Sequence, residues 1–260
     1  MVQHSGSFAT RVEWLASIDS TNGEAMARAR AGERQPLWLA AREQTSGRGR
    51  QGRVWASPSG NLAASLLLLD PASMAMAPQL GFVAGVALAE AVASFCPGQS
   101  VPKLKWPNDL VHEGAKISGL LLEASQLADG RMACVIGFGV NIAAHPQNLP
   151  YAASSLAALG AQVTAELLLG RLVSEMALWL DRWQAGAGFA AIRAAWLGHA
   201  AGLGENIRVA SGVRTLNGIF RGIDAAGQLI LETQAGLESI AAGDVFLAPS
   251  NGPAAGQEVG

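Results

Sequence analysis

The sequence has little of three features that would each indicate a particular class of protein. Its 260 residues include two cysteines, Cys96 and Cys134, which form no CxxC pair, so neither a zinc site nor a disulfide framework is indicated. Basic and acidic residues number 18 and 20, so the chain lacks the basic excess with which nucleic-acid binders neutralise phosphates. The most apolar stretch, residues 82–95, contains Glu90 and falls short of the ~20 residues that cross a bilayer.

The first residues also lack the basic flank and apolar core of a secretory signal. We therefore expect a soluble cytoplasmic enzyme that binds no membrane. Half of the residues are hydrophobic and 15% are charged, which is typical of a globular protein. At this length we expect two domains at most.

Strand and helix patterns alternate irregularly over the first 200 residues, which favours an α+β fold: a mixed β-sheet flanked by helices. After Gly202 the pattern changes to short apolar runs between turns, which indicates a small β-barrel. We expect a catalytic domain over residues 1–200, a barrel domain over 201–250 and a disordered tail over 251–260.

A few local patterns define the predicted elements. Thr21 and Glu24 have the spacing of a capping box, with Thr21 as the cap of the first helix. A β-hairpin is predicted from two apolar runs joined by the turn at 112–114. Its arms are residues 104–111 and 117–124.

A glycine-rich loop over residues 44–61 contains a formal match to the GxGxxG dinucleotide fingerprint at 47–52. Asp70 even falls near the expected place of the ribose-binding acid. However, Pro58 and Gly60 would break the helix that this fingerprint must open. We therefore reject the dinucleotide interpretation.

The same loop carries three arginines, Arg48, Arg50 and Arg53, among its glycines. Guanidinium groups bind carboxylate and phosphate oxygens bidentately, and glycines let a backbone approach and close over a ligand. The pattern therefore suits a small anion, although a solvated basic loop would have the same composition.

The predicted hairpin carries an unusual set of polar residues. Lys105, Asn108 and Asp109 lie at its first arm, and Lys116 comes shortly before Gly119 and an apolar run. Polar groups on a rigid scaffold are typical of a functional site. Taken singly, each lysine has the bland alternative of an edge-strand side chain.

Together these residues resemble the biotin protein ligases over about residues 13–248. Four motifs occur in the family's order, and the combination of the glycine-arginine loop with K-W-P-N-D is highly specific. They are Asp19-Ser20-Thr21-Asn22; Gln44 with Gly47-Arg48-Gly49-Arg50-x-Gly52-Arg53-x-Trp55; Lys105-Trp106-Pro107-Asn108-Asp109 with Lys116-x-x-Gly119; and Gly137-x-Gly139-x-Asn141.

The resemblance implies a catalytic domain like that of class II aminoacyl-tRNA synthetases and lipoate ligases, followed by a Src-homology-3-like barrel. This sequence departs from the family's pattern in two ways. Bifunctional members begin with a winged helix-turn-helix, but this chain reaches Ser20 too soon to contain one, so we expect no DNA binding. Gln51 also stands where some members have another arginine.

The reaction implied by the resemblance has two steps. Biotin and ATP, with Mg²⁺, form biotinyl-5′-AMP and pyrophosphate, and biotin then passes to a lysine of the biotin carboxyl carrier protein of acetyl-CoA carboxylase. The sequence leaves open the metal ligands, the role of the barrel and the oligomeric state, a homodimer being possible.

The family's pattern also implies roles for particular residues. The expected biotin-binding residues are Ser20, Thr21, Asn22, Gln44, Gly47, Arg48, Gly49, Arg50, Lys116 and Gly119. The expected ATP- and adenylate-binding residues are Arg50, Arg53, Trp55, Lys105, Asn108 and Asn141. The expected catalytic residues are Lys116, Arg48, Arg50 and Asp109, the last either as a base or as a structural group.

Two other functions remain in competition on the sequence alone. A lipoate or octanoate ligase of related fold would also modify a carrier lysine, but its ligand has no ureido group. A non-catalytic biotin sensor would bind the ligand without producing pyrophosphate.

Overall fold

The computed structural model describes residues 11–96, 98, 101–147 and 149–247. These residues form a mixed seven-stranded sheet with helices, followed by a five-stranded antiparallel sheet, which confirms the expected α+β class. The predicted tail at 251–260 lies outside the described residues, and the domain division after residue 200 stays a prediction.

The main elements of the first part are seven strands and four helices. The strands are β1 (Arg11–Leu15), β2 (Leu37–Ala41), β3 (Leu62–Leu69), β4 (Lys103–Lys105), β5 (Asp109–His112), β6 (Ala115–Gln126) and β7 (Met132–Val140). The helices are α1 (Thr21–Arg30), α2 (Gln79–Ala93), α3 (Ala165–Trp183) and α4 (Phe189–Gly198).

The strand order is β1-β2-β3-β7-β6-β5-β4, and β1 runs parallel to β2 while the other pairs are antiparallel. Helix α1 covers one face, where Ala25 and Ala29 pack against leucines of β2 and β3. The other face carries the main core and α2. Because α2 packs between this face and helices α3 and α4, it is apolar on nearly all sides.

Alternation along β7 decides what lies under α1. Ala133 and Val135 belong to the cluster beneath the helix, so the next residues on that face are Gly137 and Gly139. These two glycines lie at the N-terminal end of α1, where β7 therefore presents no side chains on that face. The fold thus leaves a depression at the start of α1.

The second sheet consists of β8 (Asn206–Ser211), β9 (Arg214–Ile223), β10 (Leu229–Thr233), β11 (Gly236–Ile240) and β12 (Asp244–Leu247). Its order is β11-β10-β9-β8-β12, so the described residues of the predicted small barrel form an antiparallel sheet with β11 and β12 at its edges. Its apolar residues join the main core, and the Trp106 indole donates to the Gly227 carbonyl at 3.1 Å. The two sheets therefore share a packed boundary.

Two local predictions need correction. The first arm of the predicted hairpin is divided into β4 and β5, because the chain turns at residues 106–108. The cap of α1 is Ser20 rather than Thr21, since the Ser20 hydroxyl accepts from the Gly23 amide. Strand β1 had no counterpart in the sequence prediction.

Within the described residues, no helix has both the length and the apolar character needed to span a membrane.

Asn61 provides a test of how the end of β7 is held. It is buried, and its Oδ1 accepts from the amides of Ile142, Ala143 and Ala144 at 2.9–3.2 Å. Since Asn61→Ala would leave these amides without an acceptor, we expect a loss of about 3 kcal/mol in the free energy of unfolding. Urea denaturation measures it, with the exposed Asn206→Ala as the control; a loss equal to that of the control would contradict this role.

Candidate active site

A pocket opens in the depression at the N-terminal end of α1 and encloses about 790 Å³, including the solvent at its mouth. Its walls come from four places in the chain: the start of α1, the glycine-arginine loop, the β5–β6 region and the middle of β7. A single residue of the second sheet, Asp244 at the start of β12, also lines it.

One end of the pocket is a network of hydroxyl and amide groups, with the Glu123 carboxylate at its edge. Gln44 Oε1 accepts from the Thr21 amide at 2.8 Å and lies 3.0 Å from the Thr21 hydroxyl. The Ser65 hydroxyl lies 2.7 Å from the Thr21 hydroxyl and 2.6 Å from Asn22 Oδ1. Asn22 in turn donates to Glu123 at 2.8 Å. The network fixes several donors and acceptors beside the first turn of α1.

Glycines make room for this network and for an aromatic ring. A Cβ on Gly137 would lie 2.4 Å from Asn22 Oδ1, and a Cβ on Gly139 would lie 2.3 Å from the Trp55 indole. Neither distance is compatible with a side chain, so both positions require glycine. The Trp55 indole consequently lies flat against the sheet, also within 3.4 Å of the position of a Gly119 Cβ.

The glycine-arginine loop forms a small hairpin over residues 47–55, which we call the arginine hairpin. The Trp55 amide donates to the Gly47 carbonyl at 2.9 Å, and Arg48 bridges to Val54. Gln51 and Gly52 at its tip have φ of 56° and 72°, a left-handed turn that glycine adopts readily. A Cβ on Gly47 would lie 2.3 Å from the Trp55 carbonyl oxygen, so position 47, which pairs with Trp55 at the base of the hairpin, also requires glycine.

The arginines of this hairpin point to different partners. Arg50 donates to Asn108 at 2.9 Å, and Arg53 pairs with Asp244 at 2.5 Å. Arg48 lies 3.8 Å from Glu123 at the polar end of the pocket. The three guanidinium groups are thus distributed along the pocket and do not converge on one atom.

The other end of the pocket is built on β5 and β6. The Lys116 ammonium pairs with Asp109 at 2.7 Å, and Lys105 reaches the second oxygen of the same carboxylate at 3.2 Å. Lys116 also lies 5.6 Å from the Trp55 ring centroid and 5.8 Å from that of Tyr151, the one tyrosine of the sequence. Its partly buried ammonium is therefore held by one carboxylate and two aromatic faces.

Thirteen of the sixteen residues expected from the sequence line this pocket. They are Ser20, Thr21, Asn22, Gln44, Arg48, Gly49, Arg50, Arg53, Trp55, Asn108, Asp109, Lys116 and Gly119. The other three lie behind the lining. Gly47 closes the arginine hairpin, Lys105 supports Asp109, and the buried Asn141 donates to the Ser154 carbonyl at 3.1 Å.

Sequence reasoning missed three site residues: Ser65, Tyr151 and Asp244. Ser65 is fully buried in an otherwise apolar strand, and that single hydroxyl is the feature that could have drawn attention to it. A buried hydroxyl needs hydrogen-bond partners, which polar neighbours must supply. Tyr151 and Asp244 lie in segments with no pattern that relates them to the pocket.

Thiol chemistry and a metal site built from protein ligands alone have little support in the described part of the chain. No group of three or more His, Cys, Asp or Glu residues there could hold a metal ion. Burial raises the pKa of the Cys134 thiol to about 11, and it raises that of Cys96 as well. Both cysteines are therefore expected to stay protonated and unreactive.

Comparison with known proteins agrees with this geometry. Residues 14–141 match the biotin/lipoate A/B protein ligase family, and residues 202–248 match the biotin protein ligase C terminal domain. A biotin--[acetyl-CoA-carboxylase] ligase of Paracoccus denitrificans is 42% identical over 241 residues, which cover 89% of this chain and 98% of the relative. The chain belongs to the biotin protein ligase family.

Other biotin protein ligases support the same assignment. The biotin--[acetyl-CoA-carboxylase] ligase of Mycobacterium tuberculosis is 31% identical over 250 residues, covering 92% of this chain and 90% of that protein. A biotin protein ligase from Aquifex aeolicus, solved in complex with biotin and ATP, superposes with a TM-score of 0.77 at 26% identity. That match covers 92% of this chain and 99% of the solved one.

The close approach of Trp55 to the sheet can be tested with Gly139→Ala. The new methyl group would displace the indole, so we expect the Trp55 indole N–H resonance to shift in an NMR spectrum while the other six stay in place. Trp55→Phe identifies the resonance. Gly170→Ala, whose Cβ would meet no atom within 4 Å, is the control. An unmoved Trp55 resonance in Gly139→Ala would contradict this packing.

Proposed function

We propose that this pocket joins biotin to ATP as biotinyl-5′-AMP, with release of pyrophosphate, and then transfers biotin to a lysine of a biotin carboxyl carrier protein of acetyl-CoA carboxylase. The observation that carries the proposal is that one pocket has a neutral hydrogen-bonding end and a cationic end. Biotin has the matching polarity: a neutral ureido ring at one end and a carboxylate at the other.

The neutral end suits the ureido ring. That ring offers a carbonyl acceptor and two N–H donors, and Thr21, Asn22 and Gln44 present both kinds of group within one network. A lipoyl group has no such donors or acceptors, so binding it here would bury the network without partners. This argues for biotin and against a lipoate or octanoate ligase.

The cationic end suits the reacting anions. A carboxylate and an α-phosphate repel each other, so joining them requires positive groups that stabilise the charge on the phosphorus oxygens. We assign this role to Lys116, Arg48 and Arg50. Of these, Arg48 lies beside Glu123 at the polar end, so its side chain would turn from Glu123 toward the reacting anions. Lys116 lies on a strand and is already fixed by its contacts, so it does not need to reorganise during the reaction.

The adenylate would lie toward Trp55, Asn108 and Arg53, which line the same wall. The aromatic face of Trp55 could stack on a base, and Arg53 carries a charge suited to phosphate. Asn108 is held by the Leu120 carbonyl at 2.6 Å and by Arg50. These residues form the nucleotide part of the proposal.

Magnesium would enter with ATP, where it neutralises the triphosphate and helps pyrophosphate leave. Of the two carboxylates that line the pocket, Asp109 lies at the reacting end beside two lysines, whereas Asp244 is held by Arg53. Mg²⁺ is commonly bound by one or two carboxylates together with phosphates and water. Asp109 therefore fits an ion held chiefly by the nucleotide.

In the second step a carrier lysine attacks the mixed anhydride and must first lose its proton, although its reference pKa is ~10.4. Asp109 lies at the reacting end and could accept or direct that proton. Its two lysine partners also give it a structural role, because it holds Lys116 in place.

An enzyme is favoured over a biotin sensor because Lys116, Asp109 and Asn108 lie together at the place where biotin's carboxylate would end. A sensor needs no cations at that point beyond those that neutralise one carboxylate. We place the reaction in the cytoplasm, and the net charge of −2 supports a role without DNA binding.

The function is tested with purified protein, biotin, MgATP and an apo carrier domain, followed by mass spectrometry of the carrier. We expect a mass gain of one biotinyl group that requires all four components. A mass gain of the carrier with lipoate in place of biotin would support a lipoate ligase. Biotin binding without any mass gain of the carrier would support a non-catalytic biotin sensor.

Lys116→Ala tests the cationic end. Loss of a group that stabilises developing charge should cost adenylate formation about 3 to 4 kcal/mol. Biotin-dependent pyrophosphate exchange measures this loss. Lys103→Ala, on the exposed strand β4, is the matched control and should exchange at the normal rate. Near-normal exchange in the Lys116 variant would refute its role.

Ser65→Ala tests the neutral end. Without this hydroxyl, Thr21 and Asn22 lose a shared partner and their orientation, so we expect biotin affinity to fall on the order of tenfold. Binding of ATP should change much less. Calorimetric titration with each ligand measures both effects, with the exposed Ser174→Ala as the control. Equal biotin affinities for the two variants would show that Ser65 does not orient the site.

A further inference from the structure

The second sheet contributes a charged group to the active site that no part of the proposed mechanism uses. Asp244, the first residue of β12, lines the pocket and pairs with Arg53 of the arginine hairpin at 2.5 Å. Strand β12 pairs with β8, which places Asp244 opposite Ala210 within the second sheet. The ion pair therefore connects the hairpin to the C-terminal part of the protein.

The tip of the arginine hairpin has few other contacts. Residues 51–54 are exposed, and the Val54 side chain is 86% exposed, so little apolar burial holds the tip in place. Its polar contacts are Arg50 with Asn108 and Arg53 with Asp244. A segment with so few buried contacts opens at low free-energy cost unless its polar contacts hold it.

These two contacts are not equivalent once substrates bind. Arg50 is assigned to the reacting anions, so its bond to Asn108 competes with them. Arg53 has a charged partner that belongs to the protein, and its five N–H donors let it keep this pair while it also contacts a phosphate. Burial alone would raise the pKa of Asp244, but the hydrogen bond and charge of Arg53, with Arg50 and Lys105 nearby, lower it on balance. Asp244 is thus ionised at neutral pH.

We propose that Asp244 is a positioning residue through which the C-terminal sheet, by way of Arg53, holds the arginine hairpin closed over the acyl-adenylate. This inference rests on the proposed function. An open hairpin would admit water to the mixed anhydride. Water would attack the acyl carbon, the bond from that carbon to the phosphate oxygen would break, and biotin carboxylate, the AMP dianion and two protons would be released.

The expected effect is moderate because the two side chains are 55% and 37% exposed. Exposed ion pairs contribute little, so we expect AMP release to rise about three- to fivefold when the pair is lost. Adenylate formation and biotin affinity should stay within about twofold of the unsubstituted enzyme, since neither needs Asp244 itself.

The experiment incubates the full-length enzyme with biotin and MgATP in the absence of acceptor, and it measures adenylate formed in the first turnover and AMP released afterwards. Asp244→Asn should form adenylate normally and release AMP faster. Asp244→Glu keeps the carboxylate, so most of the acyl-adenylate should again stay on the enzyme and AMP release should be slow. Glu238→Gln breaks an exposed pair with Arg214 in the same sheet and should behave like the unsubstituted enzyme.

A double variant shows whether Asp244 acts through Arg53. If it does, Arg53→Met combined with Asp244→Asn will release AMP no faster than Arg53→Met alone. Additive effects would overturn the proposal. So would unchanged AMP release in Asp244→Asn, or a loss of adenylate formation that follows a higher KM for ATP, which would place Asp244 in nucleotide binding instead. An unsubstituted enzyme that makes no adenylate would refute the proposed function.

Discussion

The absence of side chains at Gly137 and Gly139 is the constraint on which the site depends. Both glycines lie on the face of β7 that α1 covers further along, and both positions are too close to neighbouring atoms for a Cβ. The space they leave is filled by Asn22 from one side and by the Trp55 indole from the other. The polar network and the arginine hairpin can therefore meet above a flat part of the sheet.

Charge balance is the second feature of the site. Arg53, Lys105 and Lys116 would repel one another if they stood alone, but Asp109 and Asp244 lie between them. The carboxylates hold the cations in place before any ligand binds, which reduces the reorganisation that binding requires. Asp109 comes from the seven-stranded sheet and Asp244 from the five-stranded sheet, so both parts of the chain determine the electrostatics of the pocket.

Much of this arrangement could be predicted from the sequence because the motifs are local. The short apolar runs after Gly202 indicated the strands of the second sheet, and the glycine-arginine loop with the K-W-P-N-D segment indicated most of the pocket lining. The cap of α1 was wrong by one residue, since Ser20 and Thr21 are equally suited to that position by type. Only the bond from Thr21 to Gln44, 23 residues away, decides between them.

Contacts between distant parts of the chain could not be predicted in this way. Ser65 lies in a strand whose pattern indicates only burial, and its partners come from α1. Asp244 lies 191 residues from Arg53, and no local pattern records that separation. The turn at Trp106 was likewise hidden, because the apolar run continues through it. Tertiary packing determines each of these features.

The central claim is that one pocket holds two anions close enough to react, with Lys116 and the arginine hairpin around them. A crystal structure with biotin and a non-hydrolysable ATP analogue tests it most directly. The account predicts the biotin carboxylate within about 3.5 Å of the α-phosphate, beside Lys116, and the ureido ring on Thr21 and Asn22. Biotin and nucleotide in separate places, or biotin in the reverse orientation, would contradict it.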